Sequence, residues 1–106
     1  MSWDISVGVD TGGEFPASVA EVRNLTWNNG NILAALKCHP SDMKGKPCSE
    51  VAPIARQALA DSWMKEAELK KLEPGNGWGG VDDVRDYLEK LVKVCEEHPK
   101  AMPVVR

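Results

Sequence analysis

No run of apolar residues in this 106-residue chain is long enough to cross a bilayer, and Met1 to Val9 alternates polar and apolar residues where a signal peptide would need an unbroken apolar core. The expectation is a cytoplasmic protein with no membrane partner. A dense basic cluster is also missing. Thirteen Lys and Arg face sixteen Asp and Glu, for a net charge of −3, which argues against a protein that wraps DNA or RNA by neutralising phosphates. Cysteine is scarce and odd in number: Cys38, Cys48 and Cys95 read as free, mostly buried thiols, with no disulfide framework. There is no Cys-x-x-Cys pair. The Cys38-His39, Cys48 and Cys95-x-x-His98 groups contain zinc-ligand types at spacings that do not specify a site, both histidines precede prolines, and Cys95 falls on an apolar helix face. No metal or cofactor is expected. Nucleophile elbow, P-loop and paired metal-ligand helix are absent as motifs. A hydrolase pairing Cys38 or Cys48 with His39 or His98 therefore ranks below a binding protein, and the expectation is no enzyme. Internal repeats and low-complexity segments are absent as well.

What is there fits one domain, residues 1–106. Trp3, Ile5, Val7 and Val9 alternate with polar residues or glycine, the pattern of a strand with one buried face. Asp10-Thr11-Gly12-Gly13 supplies a turn, and Phe15 to Leu25 returns as an antiparallel partner that begins after Pro16 or lies at an edge. Ile32 to Leu36 suits a short helix capped by Asn28 or Asn29, and Ser41 to Pro47 reads as an exposed loop. Ser49 is the expected cap of a second helix whose apolar stripe runs Val51, Ile54, Ala55, Ala58, Leu59, Ser62 and Trp63. Residues 65–72 either continue it or form a second short helix after a bend. A last helix opens with Asp82 and Asp83 and buries Val84, Tyr87, Leu88, Leu91, Val92 and Cys95. Met102, Val104 and Val105 read as a final edge strand beside Pro103. The expected fold is α+β: a small antiparallel sheet, made of an N-terminal hairpin plus a short C-terminal edge strand, with three helices packed on one face in the order ββαααβ. A chain this size buries modest surface, so a homo-oligomer is a natural further source of stability.

Two stretches are candidates for function. Pro74-Gly75-Asn76-Gly77-Trp78-Gly79-Gly80 packs four glycines around one large ring, which reads either as a structural corner with Trp78 tucked into the core or as one wall of a binding pocket. Asn24-x-Thr26-x-Asn28 places three hydrogen-bonding side chains on alternate residues, with Trp27 opposite. They serve either as caps for the next helix or as polar groups of the same pocket. The candidate ligand-binding set is Arg23, Asn24, Thr26, Trp27, Asn28, Asn76 and Trp78, and no catalytic residue is assigned. For a nucleotide, the base would lie against Trp78 or Trp27, with Arg23 or Lys37 nearest the phosphates.

Asn24-Leu25-Thr26-Trp27-Asn28 leading into a short helix, the Asn76-Gly77-Trp78-Gly79 corner and the ending Cys95-Glu96-Glu97-His98-Pro99 together resemble a family of small bacteriophage proteins, most of them uncharacterised, over nearly the whole chain. The resemblance implies a virus-encoded accessory protein inside a bacterial host cell, and it transfers no catalytic residues. The expected function is a stoichiometric counter-defence factor that sequesters a nucleotide immune signal or occupies a host immune protein. The alternative is a protein-interaction or self-assembly module without a small-molecule ligand, which would dock by exposed tryptophan and helix faces.

Overall fold

The computed structural model describes residues 1–9, 12, 17–75 and 79–106. The Asn76 and Trp78 assignments, and most of the first turn with Phe15 and Pro16, lie outside the described residues. Strand β1 (Ser2–Val9) is the centre of an antiparallel sheet of order β2-β1-β3, between β2 (Ala17–Thr26) and β3 (Met102–Val105). Strict alternation would not let both Val22 and Leu25 face inward, because they lie an odd number of positions apart, three. The pairing solves this with a bulge: Ile5 pairs with Arg23 and Ser6 with Glu21, leaving Val22 as the extra residue. Val22 and Leu25 are both buried. The same irregularity puts Arg23 opposite Ile5, on the side of the sheet that faces the helices.

Those helices are α1 (Gly30–Ala35), α2 (Cys48–Met64), α3 (Glu66–Lys70) and α4 (Val81–Glu97). They cover one face of the sheet, as the sequence predicts, with α4 packed on β2 and α2 on α4. Val84, Tyr87, Leu88, Leu91 and Cys95 of α4 join Val51, Ala55 and Ala58 of α2 in the core. Each large apolar side chain so buried contributes roughly 1.5–3 kcal/mol. Across the sheet, the outward positions Asp4, Glu21 and Asn24 stay exposed. Asn24 donates to Ser2 Oγ (2.9 Å) and Asp4 Oδ1 (2.7 Å), so it ties the two strands on the solvated face. Residues 65–72, for which the sequence leaves two outcomes, break at Lys65 and form the separate helix α3.

Three local expectations need correction. Ser49 does not cap α2: the helix already starts at Cys48 behind Pro47, because the carbonyls of Ala101 and Pro99 accept from the amides of Cys48 (2.8 Å) and Ser49 (3.0 Å). Two otherwise orphaned first-turn donors are thus satisfied by the segment leading into β3. Ser41 to Pro47 is not an open loop throughout. A 3-10 turn, Pro40–Met43, is fixed by a capping box in which His39 Nδ1 accepts from the Ser41 amide and Asp42 Oδ2 accepts from the His39 amide, and it buries Pro40 and Met43. Trp63, expected in the buried stripe of α2, is 59% exposed. Its ring lies over the guanidinium of Arg85, 3.5 Å from the ring centre. Arg85 takes the interior position instead, donating to Ser62 Oγ (3.2 Å) and to the Ser62 carbonyl (2.7 Å).

Candidate functional site

The candidate residues divide between two places. At the first, β2 meets the start of α4. Asn29 is fully buried; its Oδ1 accepts from the Gly80 amide (2.8 Å) and its Nδ2 donates to Asp83 Oδ2 (2.6 Å). Asp83 Oδ1 accepts from Arg23 (2.7 Å), and Arg23 reaches on to Asp86 Oδ2 (2.8 Å). Glu73 Oε2 accepts from the Val81 amide (3.0 Å), so a carboxylate eight residues upstream satisfies an opening donor of α4. Gly79 closes the junction at φ +84°, and a Cβ there would meet Asn29 Oδ1 at 2.5 Å. Neither the left-handed backbone nor the space admits another residue.

Arg23, Asn24 and Thr26 do share a recess here, of about 480 Å³, faced by Glu73, Asp82 and Asp83. Its charge does not suit a phosphate. Three carboxylates stand against one guanidinium, and that guanidinium is already engaged by two of α4's aspartates. Asn29, the side chain that holds the junction together, is absent from the candidate set; the set names its neighbour Asn28, which is exposed and whose amide donates to Thr26 Oγ1 (3.4 Å). Thr26, not Asn28 or Asn29, provides the side-chain cap of the 3-10 turn Trp27–Asn29 that leads into α1. An Asn followed by Gly before an apolar run is a cap signal, and burial of Asn29 by residues more than fifty positions away leaves no local trace.

The second place lies on Trp27. Its ring is 47% exposed and sits against Trp3, with centroids 6.0 Å apart. Trp3 in turn meets the edge of His39 at 5.3 Å and 86°. Gly30 lies against two members of this row: a Cβ there would be in ordinary contact with Trp3 (3.7 Å) and His39 (3.8 Å). Beyond His39 an open recess of about 600 Å³ is lined by Lys37, Ser41, Asp42 and Lys46. Sequence reasoning named Trp27 for the base and Lys37 as one of two choices for the phosphates, and missed Trp3 and His39 beside Trp27 and His39, Ser41 and Lys46 beside Lys37.

The thiols of a hydrolase reading are buried. Cys38, Cys48 and Cys95 are free and in the core. Loss of hydration pushes the Cys38 thiol up to about 11, with the charge of Asp42 adding to it. Burial also raises Cys95 and Cys48, a hydrogen bond from Cys95 partly offsetting the rise at Cys48. Such thiols stay protonated and inert. Among the described residues no group of three or more Cys, His, Asp or Glu side chains is placed to hold a metal ion, and no helix is long and apolar enough to cross a membrane. The chain matches no protein-family model, no curated protein and no solved structure.

Proposed function

We propose that the chain is a stoichiometric binding protein that holds a nucleotide against Trp27, and that, as the phage resemblance implies, it acts as a counter-defence factor sequestering an immune signal in an infected bacterium. The carrying observation is the Trp27–Trp3–His39 row. An exposed indole braced by a second ring offers a stacking platform that loses little freedom on binding, and base stacking on such a ring contributes about 1–3 kcal/mol. The inert thiols fit a protein that captures its ligand and does not transform it. Replacing Trp27 with Ala removes an exposed ring and leaves the core intact. The expected outcome is loss of ligand with little change in melting. Native mass spectrometry of the protein isolated from its bacterial host reads the first, and a thermal melt reads the second. A nucleotide retained equally by both forms would sink the proposal.

A second reading, a protein-interaction module, draws on a different surface. Trp63 and Met64 end α2 in the open, at 59% and 84% exposure, and the ring is held in place by Arg85 beneath it. Exposed, pre-positioned tryptophans are common anchors of protein interfaces. On this reading Trp63→Ala, and not Trp27→Ala, abolishes partner binding.

A further inference from the structure

Resting on the nucleotide reading above, we infer that Lys37 and Lys46 form the phosphate subsite of the same ligand. The Trp27 ring stands 6.0 Å from Trp3, and Trp3 stands 5.3 Å from His39. His39 is at once the last ring of the row and part of the recess wall that carries Lys37 and Lys46. The two steps together are within the reach of one nucleoside diphosphate, with its base on Trp27 and its phosphates in the recess. Neither lysine is committed elsewhere: among the described residues Lys37, Lys44 and Lys46 take part in no ion pair. The one carboxylate on the rim, Asp42, has Oδ2 turned back to accept from the His39 amide (3.0 Å), and the two lysines of the lining outweigh it, which leaves the recess basic. His39 is fixed in its turn. Its Nδ1 accepts from the Ser41 amide (3.2 Å) and meets Ser41 Oγ at 2.9 Å, so in the neutral ring the proton sits on Nε2.

Lys37 carries the strongest sign. It is the one described non-glycine residue with positive φ, +58°, at the position after α1 where its amide donates to Ala34 (3.0 Å) and the next amide, of Cys38, to Leu33 (2.9 Å). This is the helix-ending turn that glycine ordinarily occupies, because a Cβ is disfavoured there. A lysine at this place costs stability and puts an unpaired ammonium on the recess. Strain retained beside a candidate site points to use.

The same position gives a test in which the structural and functional roles move opposite ways. Lys37→Gly relieves the backbone and raises the melting temperature, whereas loss of the ammonium weakens phosphate binding. Calorimetric titration with ADP, adenosine and pyrophosphate, together with amide shifts across residues 37–46, reads the subsite. ADP is expected to bind about ten-fold more tightly than adenosine, as charge-assisted phosphate contacts allow. Pyrophosphate should move the 37–46 amides, and the ADP advantage should vanish in Lys37→Gly and shrink in Lys46→Gln. Equal binding of ADP and adenosine, or an ADP advantage untouched in Lys37→Gly, overturns the subsite and leaves the stacking reading standing. No binding of any of the three overturns both.

Discussion

At the scale of single residues, Asn29 decides more than any charged group. Its one amide satisfies the Gly80 backbone donor and orients Asp83, so the turn before α1 and the start of α4 are fixed by the same side chain. Removing it orphans a buried N–H, and an unsatisfied buried donor costs about 1–3 kcal/mol. Asn29→Ala should therefore lower the urea midpoint by that order, while Asn28→Ala, one position away and exposed, should leave it almost unchanged. Equal effects at the two positions would refute the assignment. Gly79→Ala is expected to be at least as damaging as Asn29→Ala. It strains the left-handed backbone and drives the new methyl into Asn29 Oδ1. Its urea midpoint should fall below wild type by more than the ordinary surface substitution does, and an unchanged midpoint would show that the junction can open.

At the scale of elements, the notable device is the start of α2, whose first donors are met by carbonyls of the chain entering β3 and not by a side chain of its own. Helix ends normally fray, and their first amides exchange with solvent quickly. Here the amides of Cys48 and Ser49 should exchange as slowly as the interior of α2, because releasing them requires the 99–101 segment to detach. Exchange of these two at the rate of the exposed Glu50 turn would show that the contact does not hold. This device also marks where the sequence stops being legible. Strand β1 and most of helix α4 can be read from period alone, since alternation from Trp3 to Val9 and the Val84–Cys95 stripe each follow one buried face; Arg85, which the period turns toward water, is buried instead. Local sequence favours Ser49 as the cap, and partners fifty residues on displace it. The β2 bulge was hidden because Val22 and Leu25 satisfy a strand pattern only after a slip in register. Trp63 fits a three-and-four spacing as well as any core residue, and only Arg85, arriving from α4, takes its place inside. The Pro40–Met43 turn is too short to carry a period. Of the candidate site, Trp27 and Lys37 are legible as residue types, but the row from Trp27 through Trp3 to His39 depends on how β1 lies beside that turn.

At the scale of the whole molecule, α2, α4 and the 3-10 turn close over a sulfur-rich interior that has consequences for pH. Cys38 and Cys95 are buried near Tyr87, with Cys48 beside Cys95; the Tyr87 hydroxyl donates to Met43 Sδ (3.8 Å), and burial raises Tyr87 as well as the thiols. The core tolerates the protonated thiol, so the folded state keeps the Cys38 proton to higher pH than the unfolded chain does. That contribution is fully present below the ordinary thiol value of 9.0 and is lost as pH rises through about 11. Within the window each pH unit removes about 1.4 kcal/mol per thiol. The urea midpoint should thus be level from pH 7 to 9 and fall steeply between 9 and 11, with Cys95 and Tyr87 extending the decline beyond. Cys38→Ala should lower the midpoint at pH 7, through the lost packing, and yet show a smaller drop from 9 to 11. A midpoint that stays level to pH 11, or a drop unaffected by Cys38→Ala, would mean that ionisation of this interior thiol is not what limits the alkaline stability of the fold.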